Sequence, residues 1–295
     1  MKTTRKKALF WSVPDDVLED PAFTSWRIKT VLCEGLAEDV ELLDKNQIEK
    51  VLTQRFLPLK IKRIWTEYFQ DEAQIRDKKM KLTALQKKVI KIFSQADKNK
   101  DFYFTGGTAL AVCYLSHRKS EDIDLFTGNP VAVAPTAREF ESRLKKAGLG
   151  VEVERRQSSF VRILVKQELK VDLALDTPFR LKPPVRLSLE GINFLVDDLT
   201  DVAANKMLAL FGRAEPRDFI DVYFLSKEYF DFMEMVEMAG KKDTGFDLYW
   251  LAAALLEVDK IKVLPVKMCK PFDLTDMKQF FKEQRLKLMR RIVKT

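Results

Sequence analysis

Phe102-Tyr-Phe-Thr-Gly-Gly-Thr-Ala-Leu-Ala111, followed shortly by His117-Arg-Lys-Ser-Glu-Asp-Ile-Asp-Leu-Phe126, decides how the middle of this chain folds. An aromatic, strand-favouring run breaks at a Gly-Gly pair, an apolar helical stretch follows, and a Ser-x-Asp-x-Asp ends on Leu-Phe. Alternation along a strand puts Asp122 and Asp124 on one face, with Ile123 and Leu125 turned to a core. Two carboxylates held side by side repel each other unless a cation sits between them, and hard oxygen donors suit a divalent metal. A Gly-Gly turn opening a helix presents bare backbone N–H groups, a cradle for phosphate. A phosphate cradle beside a metal site points to nucleotide chemistry.

Outward from this motif, Thr83 to about Ala96 reads as an amphipathic helix through Leu85, Val89, Ile92 and Phe93. A second helix is expected over Pro135–Ala147, ending at Gly148. Three strand-like runs follow: Val151–Glu154, Phe160–Val165 and Leu169–Leu175. The last carries Asp172 between Val171 and Leu173, so it presents one more carboxylate beside Asp122 and Asp124. Three carboxylates from neighbouring strands can hold two Mg²⁺ ions around a phosphoryl displacement. Pro178 and Pro183-Pro184 interrupt the pattern. From Asp197 the chain reads as helical: Asp197–Phe211, Glu215–Leu225, Tyr229–Met238, Leu248–Val258 and Leu274–Val293. This order predicts an α+β core, a mixed sheet with helices on one side.

Residues 1–78 read as a small helical unit. Trp11, Phe23, Trp26, Ile28, Val31 and Leu32 supply apolar positions, Gly35 ends a helix and Asn46 caps the next. Pro58 then opens a helix with Ile61, Ile64, Trp65 and Phe69. The charged stretch 71–81 reads as a linker or an exposed helix start. The expected division is an N-terminal helical domain over 1–78, a core over 79–182 and a C-terminal helical domain over 183–295 that completes the site.

Of 295 residues, 46% are hydrophobic and 33% charged, with a net charge of +8. Three scattered cysteines and a single histidine, His117, argue against a disulfide scaffold or a zinc centre. No apolar run approaches the ~20 residues of a membrane span, and the basic start of the chain lacks a signal-type apolar core. A cytoplasmic location is expected. Residues 80–182 carry 19 Lys and Arg against 12 Asp and Glu, whereas residues 183–295 carry 18 of each. A basic segment around a carboxylate site favours a polyanionic acceptor, although a lysine-rich solvated surface has the same composition.

Thr105-Gly-Gly-Thr-Ala-Leu-Ala, Ser120-Glu-Asp-Ile-Asp-Leu-Phe, Lys170-Val-Asp-Leu and Asp201-Val-Ala-Ala-Asn-Lys-Met, running on to Arg217-Asp-Phe-Ile-Asp-Val-Tyr-Phe-Leu225, together resemble the AbiEii/AbiGii toxin family. These are nucleotidyltransferases of the DNA polymerase β-type superfamily. The resemblance spans roughly residues 80–230. It implies a nucleotidyltransferase core and a toxin of a toxin–antitoxin or phage-defence system. The implied reaction transfers NMP from an NTP to an RNA acceptor such as tRNA, with release of pyrophosphate. Position by position, it implies that Gly106, Gly107, Thr108 and Ser120 form the triphosphate edge. Asp122, Asp124 and Asp172 would be metal ligands, with Asp172 also activating the acceptor hydroxyl. Lys206 would reach the phosphates, and Arg213, Arg217, Asp218 and Asp221 match the family's Arg…Arg-Asp-x-x-Asp helix. Some members have two adjacent lysines where this chain has Asn205-Lys206.

Ala8-Leu-Phe-Trp-Ser-Val, Trp26-Arg-Ile-Lys-Thr-Val-Leu-Cys-Glu-Gly and Ile61-Lys-Arg-Ile-Trp65 resemble a small helical protein encoded beside such toxins, which implies an antitoxin in cis (residues 1–78) or in trans. Three bland readings stand beside these. Arg217 with Asp218 or Asp221 is equally a structural salt bridge. His117 has no carboxylate partner visible in the sequence, so no general-base role is expected. The aromatics of residues 10–69 read as core. Two alternatives to RNA modification remain open at this point: a nucleic-acid-binding regulator without catalysis, and transfer to a small-molecule or protein hydroxyl.

Overall fold

The computed structural model describes residues 9–10, 12–40, 43–52, 57–65, 81–96, 101–177 and 179–294. The basic start of the chain, Trp11, Phe69, positions 71–80 of the expected linker and Pro178 lie outside the described residues. The chain divides into two compact units, Met1–Lys78 and Lys79–Thr295.

In the first unit, α1 (Asp15–Glu19), α2 (Thr24–Glu34), α3 (Ala37–Val40) and α4 (Lys45–Leu52) are short, and residues 59–65 are also helical. Gly35 ends α2 as expected. The cap of α4 is Asp44 rather than Asn46: its carboxylate accepts from the Gln47 amide at 3.1 Å. Ile28, Leu32, Ile48, Val51, Leu52 and Leu57 form the core, whereas Phe23, Trp26 and Ile64 are exposed.

The second unit opens with α5 (Ala84–Ser94), where Thr83 and Gln86 satisfy each other's backbone amides in a capping box. Strand β1 (Phe102–Thr105) runs into α6 (Gly106–Ala109), which continues as a π-helical stretch Leu110–Leu115 and stops at left-handed Ser116. Then come β2 (Ile123–Thr127), α7 (Val133–Lys146), β3 (Val151–Arg156), β4 (Phe160–Val165), β5 (Leu169–Leu175), β6 (Val185–Leu189) and β7 (Ile192–Val196). The C-terminal helices are α8 (Leu199–Arg213), α9 (Pro216–Glu228), α10 (Phe232–Lys242), α11 (Leu248–Ala254) and α12 (Leu274–Lys294).

All seven strands form one mixed sheet, in the order β3-β4-β5-β2-β1-β7-β6. The β6–β7 hairpin was not expected from the sequence. Its signal was the alternating Val185-Arg-Leu-Ser-Leu around Glu190-Gly191, whose positive φ values of 49° and 79° make a tight hairpin turn. Helices α5 and α7 cover one face. There Val89, Phe93, Ala137, Phe140 and Leu144 meet Phe104, Leu125, Ile163, Val171 and Leu173, and Phe93 packs edge-on against Phe140 at 5.0 Å.

The C-terminal helices build a second core around Met207, Leu210, Phe219, Phe232, Met235 and Phe281. Leu110 and Leu115 of the π-helical stretch enter this core, tying the Gly-Gly turn to the C-terminal helices. Alternation leaves Tyr103, Thr105, Asp124, Arg162 and Asp172 on the second sheet face, and α8 borders the cleft above it. Among the described residues, no helix is long and apolar enough to cross a membrane.

Candidate active site

Asp124 lies between the two groups that define the cleft. In register it faces Thr105 of antiparallel β1 on one side and Asp172 of parallel β5 on the other. Directly after Thr105, Gly106 adopts φ +74° and folds over the Asp124 carboxylate, so close that a Cβ at this position would stand 1.9 Å from Oδ2. A Cβ on Gly107 would stand 2.8 Å from Arg118 Nη2 and 3.2 Å from Ser120 Oγ. Gly106 is therefore required by crowding and by its positive φ, whereas a side chain at Gly107 would press on the ends of Arg118 and Ser120. Asp122 sits just before β2 and reaches the same cleft. Its loop is held from behind: Gln86 Nε2 donates to the carbonyls of Ser120 at 3.0 Å and Glu121 at 3.3 Å, and the Thr108 hydroxyl donates to the Asp122 carbonyl.

The electrostatics set the two strands apart. Burial pushes the Asp124 pKa up to about 6; Asp172 and Asp122 add to the rise and Lys206 opposes it. Asp172 is gripped by Arg162, which donates to both its oxygens at 2.7 Å from the directly opposite position on β4. Asp172 in turn favours the charged form of that guanidinium. Among the described residues, no three carboxylate, histidine or cysteine groups already converge as a ligand set. The donors nevertheless fit a hard divalent cation in kind. Asp122 and Asp124 offer carboxylate oxygens on one face, and Asp124 is a carboxylate short of positive charge. Asp172 would join them by exchanging Arg162 for the metal.

Positive charge enters the cleft from Arg118, Lys206, Arg213 and Arg217. Two of the predicted site residues, Asp218 and Asp221, are fully buried behind this cationic wall. Asp221 accepts from Arg118 Nε at 2.6 Å and Nη2 at 2.8 Å, contacts His117 Nε2 at 2.7 Å and pairs with Lys206 Nζ at 2.8 Å. Burial alone would raise its pKa, but Lys206, Arg118 and His117 hold it well below the usual carboxylate range. Asp218 likewise takes both Arg213 donors, at 2.8 and 2.7 Å. Arg217 pairs with Glu215 at 2.8 Å rather than with either aspartate. Asp218 and Asp221 therefore aim the cations, and the cations face the cleft.

His117 has the carboxylate partner that the sequence did not reveal. Since Asp221 only accepts, the neutral ring carries its proton on Nε2. Its Nδ1 has no partner among the described residues. The His117–Lys119 stretch is also pinned by the C-terminal segment: Cys269 N donates to the His117 carbonyl at 2.8 Å and Lys119 N to that of Lys267 at 2.9 Å.

Asp197 was likewise not foreseen. It is fully buried at the end of β7, accepts from the Thr105 hydroxyl at 2.7 Å and pairs with Arg180. It thereby braces the strand end from which Gly106 turns. A signal for Arg118 was available in its position a few residues before Asp122; for Asp197 there was none beyond the helix start that follows it.

Residues 88–292 match the family model described as "Nucleotidyl transferase AbiEii toxin, Type IV TA system". An uncharacterized protein of Aquifex aeolicus (strain VF5) is 26% identical over 187 residues, covering 62% of this chain and 86% of that protein. Among solved structures, the nucleotidyltransferase toxin MenT4 of Mycobacterium tuberculosis H37Rv superposes with a TM-score of 0.45 and 14% identity, over 84% of this chain and 90% of that one. JHP933 from Helicobacter pylori superposes with a TM-score of 0.42 and 20% identity, over 70% and 92%.

Proposed function

The chain belongs to the AbiEii family of nucleotidyl transferase toxins, and from that premise we propose that it transfers a nucleoside monophosphate from an NTP to a hydroxyl of RNA, in a reaction that requires Mg²⁺. The acceptor oxygen attacks the α-phosphorus, the bond to the bridging oxygen breaks, pyrophosphate leaves, and Asp172 receives the hydroxyl proton. Asp122 and Asp124 would hold the cation, with Asp172 joining when Arg162 releases it. A divalent cation there supplies neutralisation of the charge on the triphosphate.

The chain's own groups bind and orient. The Gly106–Gly107 backbone meets the phosphates from the β1 side, together with Ser120. Lys206 and Arg118, aimed by Asp221, and Arg213, aimed by Asp218, meet them from the opposite wall. Catalysis in this arrangement rests on positioning and on fixed charges that need no reorganisation.

The observation that carries this reading is the register of Asp124 against Thr105 and Asp172, which sets the start of the Gly-Gly turn and two carboxylates side by side. The excess of basic residues in 80–182 favours RNA over an uncharged acceptor. In the same reading, residues 1–78 regulate the enzyme in cis, as an attached antitoxin-like unit.

The test incubates each labelled NTP with Mg²⁺, total RNA and either full-length protein or residues 79–295. Label should enter RNA, and Asp122→Ala should abolish incorporation and relieve growth arrest on expression. Incorporation that survives Asp122→Ala, or label that enters only protein or small molecules, would overturn the proposal. Equal activity with and without residues 1–78 would remove the regulatory role.

A further inference from the structure

The sheet continues past Asp172 into β4 and the edge strand β3, whose second face carries a cluster that the site above does not use. Arg155 of β3 stands directly opposite Arg162 of β4. Like charges placed across a strand pair are destabilising, and a local irregularity creates this pair. Val153 is opposite Ile163, the register then shifts, and Arg155 rather than Glu154 takes the place across from Arg162. Without that bulge, simple alternation would set Glu154 against Arg162 as an opposite-charge pair. Glu154 remains near enough to favour the charged form of Arg162, yet the ladder position goes to the arginine. Bulges that re-aim a side chain are concentrated beside active sites.

The Phe160 ring is within cation–π reach of both guanidinium groups, 5.4 Å from Arg155 and 5.6 Å from Arg162, measured from the ring centre to Cζ. Phe160 and Arg162 alternate with the buried core residues Val161 and Ile163, so both turn to the cleft face. Arg155 is exposed, and Lys170, two residues before Asp172 on β5, is exposed as well. One half-buried aromatic ring beside two arginines, bordering the carboxylate proposed to meet the acceptor hydroxyl, matches single-stranded polyanion recognition. Bases stack on the ring whatever their identity, and phosphates meet the cations.

We propose that this face of β3 and β4 is the acceptor platform. It binds the single-stranded RNA segment adjoining the reacting hydroxyl, one base stacking on Phe160 and the backbone phosphates meeting Arg155 and Arg162. The inference rests on the reading of RNA as acceptor. It adds a second function for Arg162, which releases Asp172 as it takes an RNA phosphate. The bulge in β3 is then the feature that places Arg155 within reach of the same strand of RNA.

The test titrates the full-length chain into a fluorescein-labelled single-stranded RNA oligonucleotide with a free 3′-hydroxyl, in Mg²⁺ without NTP, at several salt concentrations. Arg155→Glu and Phe160→Ala should each weaken binding about tenfold, the scale of one lost stacking or charge contact. Phe160→Trp should retain affinity, and Arg155→Gln should lower the salt slope by about one.

Unchanged RNA affinity and salt slope in Arg155→Glu and Phe160→Ala would overturn the platform, as would a wild-type chain that binds no RNA. Circular dichroism and nucleotide affinity measured on the same samples show whether a loss is local. The reaction itself is read separately. Wild-type transfer to RNA with the KM for RNA unaltered in both variants rejects the platform and keeps the reaction. RNA binding lost in the variants of a chain that transfers nothing to RNA keeps the platform and rejects the reaction.

Discussion

Gly106 and Asp124 are in direct conflict for space: a β-carbon on the glycine would fall 1.9 Å from Oδ2 of the aspartate. The turn that offers backbone amides and the carboxylate proposed to hold the cation are thus one packed unit. Gly106→Ala must displace Asp124 and also place a side chain at φ +74°, which alone costs roughly 1–2 kcal/mol. Nucleotide transfer should fall at least about a hundredfold, in keeping with the cost of ångström-scale misplacement, while thermal unfolding shows only a modest loss. Single-turnover kinetics beside a melting curve checks both. Near wild-type transfer would show that the two groups do not act together.

Asp221 is the shared counter-charge of Arg118 and Lys206, and it accepts a hydrogen bond from the neutral His117 ring. Asp221→Asn would leave two buried cations facing a neutral amide. Removing one partner of a buried ionic cluster costs about 3–5 kcal/mol, so the melting temperature should fall on the order of 10 °C. The KM for NTP should rise with it, since both cations lose their anchor. Differential scanning calorimetry and initial rates at varied NTP measure the two effects.

The same cluster sets an acid limit. Burial lowers the His117 pKa below its ordinary 6.5, against the pull of the Asp221 hydrogen bond. The unfolded chain therefore takes up a proton near pH 6.5 that the native chain resists, and stability falls as pH drops below that value. Asp221 has its pKa held well below 3.8. Its contribution is present above that ordinary value and is lost as pH falls further. Asp124, whose pKa is raised to about 6, and Asp197, also raised, act in the opposite sense, so in urea denaturation from pH 8 to 4 the decline due to His117 below about 6.5 is read against a variant without the ring. His117→Gln, which keeps an amide donor for Asp221, should flatten that decline. A stability difference between wild type and His117→Gln that stays constant across this range would contradict the assigned neutral, buried ring.

Arg162 occupies both oxygens of Asp172. Arg162→Gln removes that competitor and one positive charge from the rim of the carboxylate site. Mn²⁺ affinity, measured by electron paramagnetic resonance in the absence of nucleotide, should rise by up to about fivefold, the scale of a half-exposed ion pair. Weaker Mn²⁺ binding would show that Asp172 does not exchange the arginine for metal.

Much of the frame was legible because it rests on local physics. Alternation around Ile123 and Leu125 fixed which face Asp122 and Asp124 share, and the apolar spacing from Leu85 to Phe93 marked α5. The hairpin over 185–196 carries alternation and a Glu190-Gly191 turn, but the prolines before it interrupt the strand pattern, so local sequence does not tie it to the sheet. In the small N-terminal unit, Asp44 outcompeted Asn46 as a cap, a shift of two residues that propensity does not resolve.

The roles around Asp221 belong to a different level. His117 and Arg118 come from the loop after the π-helical stretch, Lys206 from α8 and Asp221 from α9, and they meet only when these helices pack beside that stretch. Spacing could name Lys206 and Asp221 as members of a motif, but not that one is buried to aim the other at the cleft. The cross-strand pair of Arg155 and Arg162 is also a tertiary product, since it depends on one shifted residue in a ladder. Sequence alone determined the carboxylate motif, the Gly-Gly turn and the family, because neighbouring residues specify strands, turns and their faces. Tertiary structure decided which charges are neutralised, by what and how deeply, because electrostatic partners are chosen by three-dimensional packing and not by order along the chain.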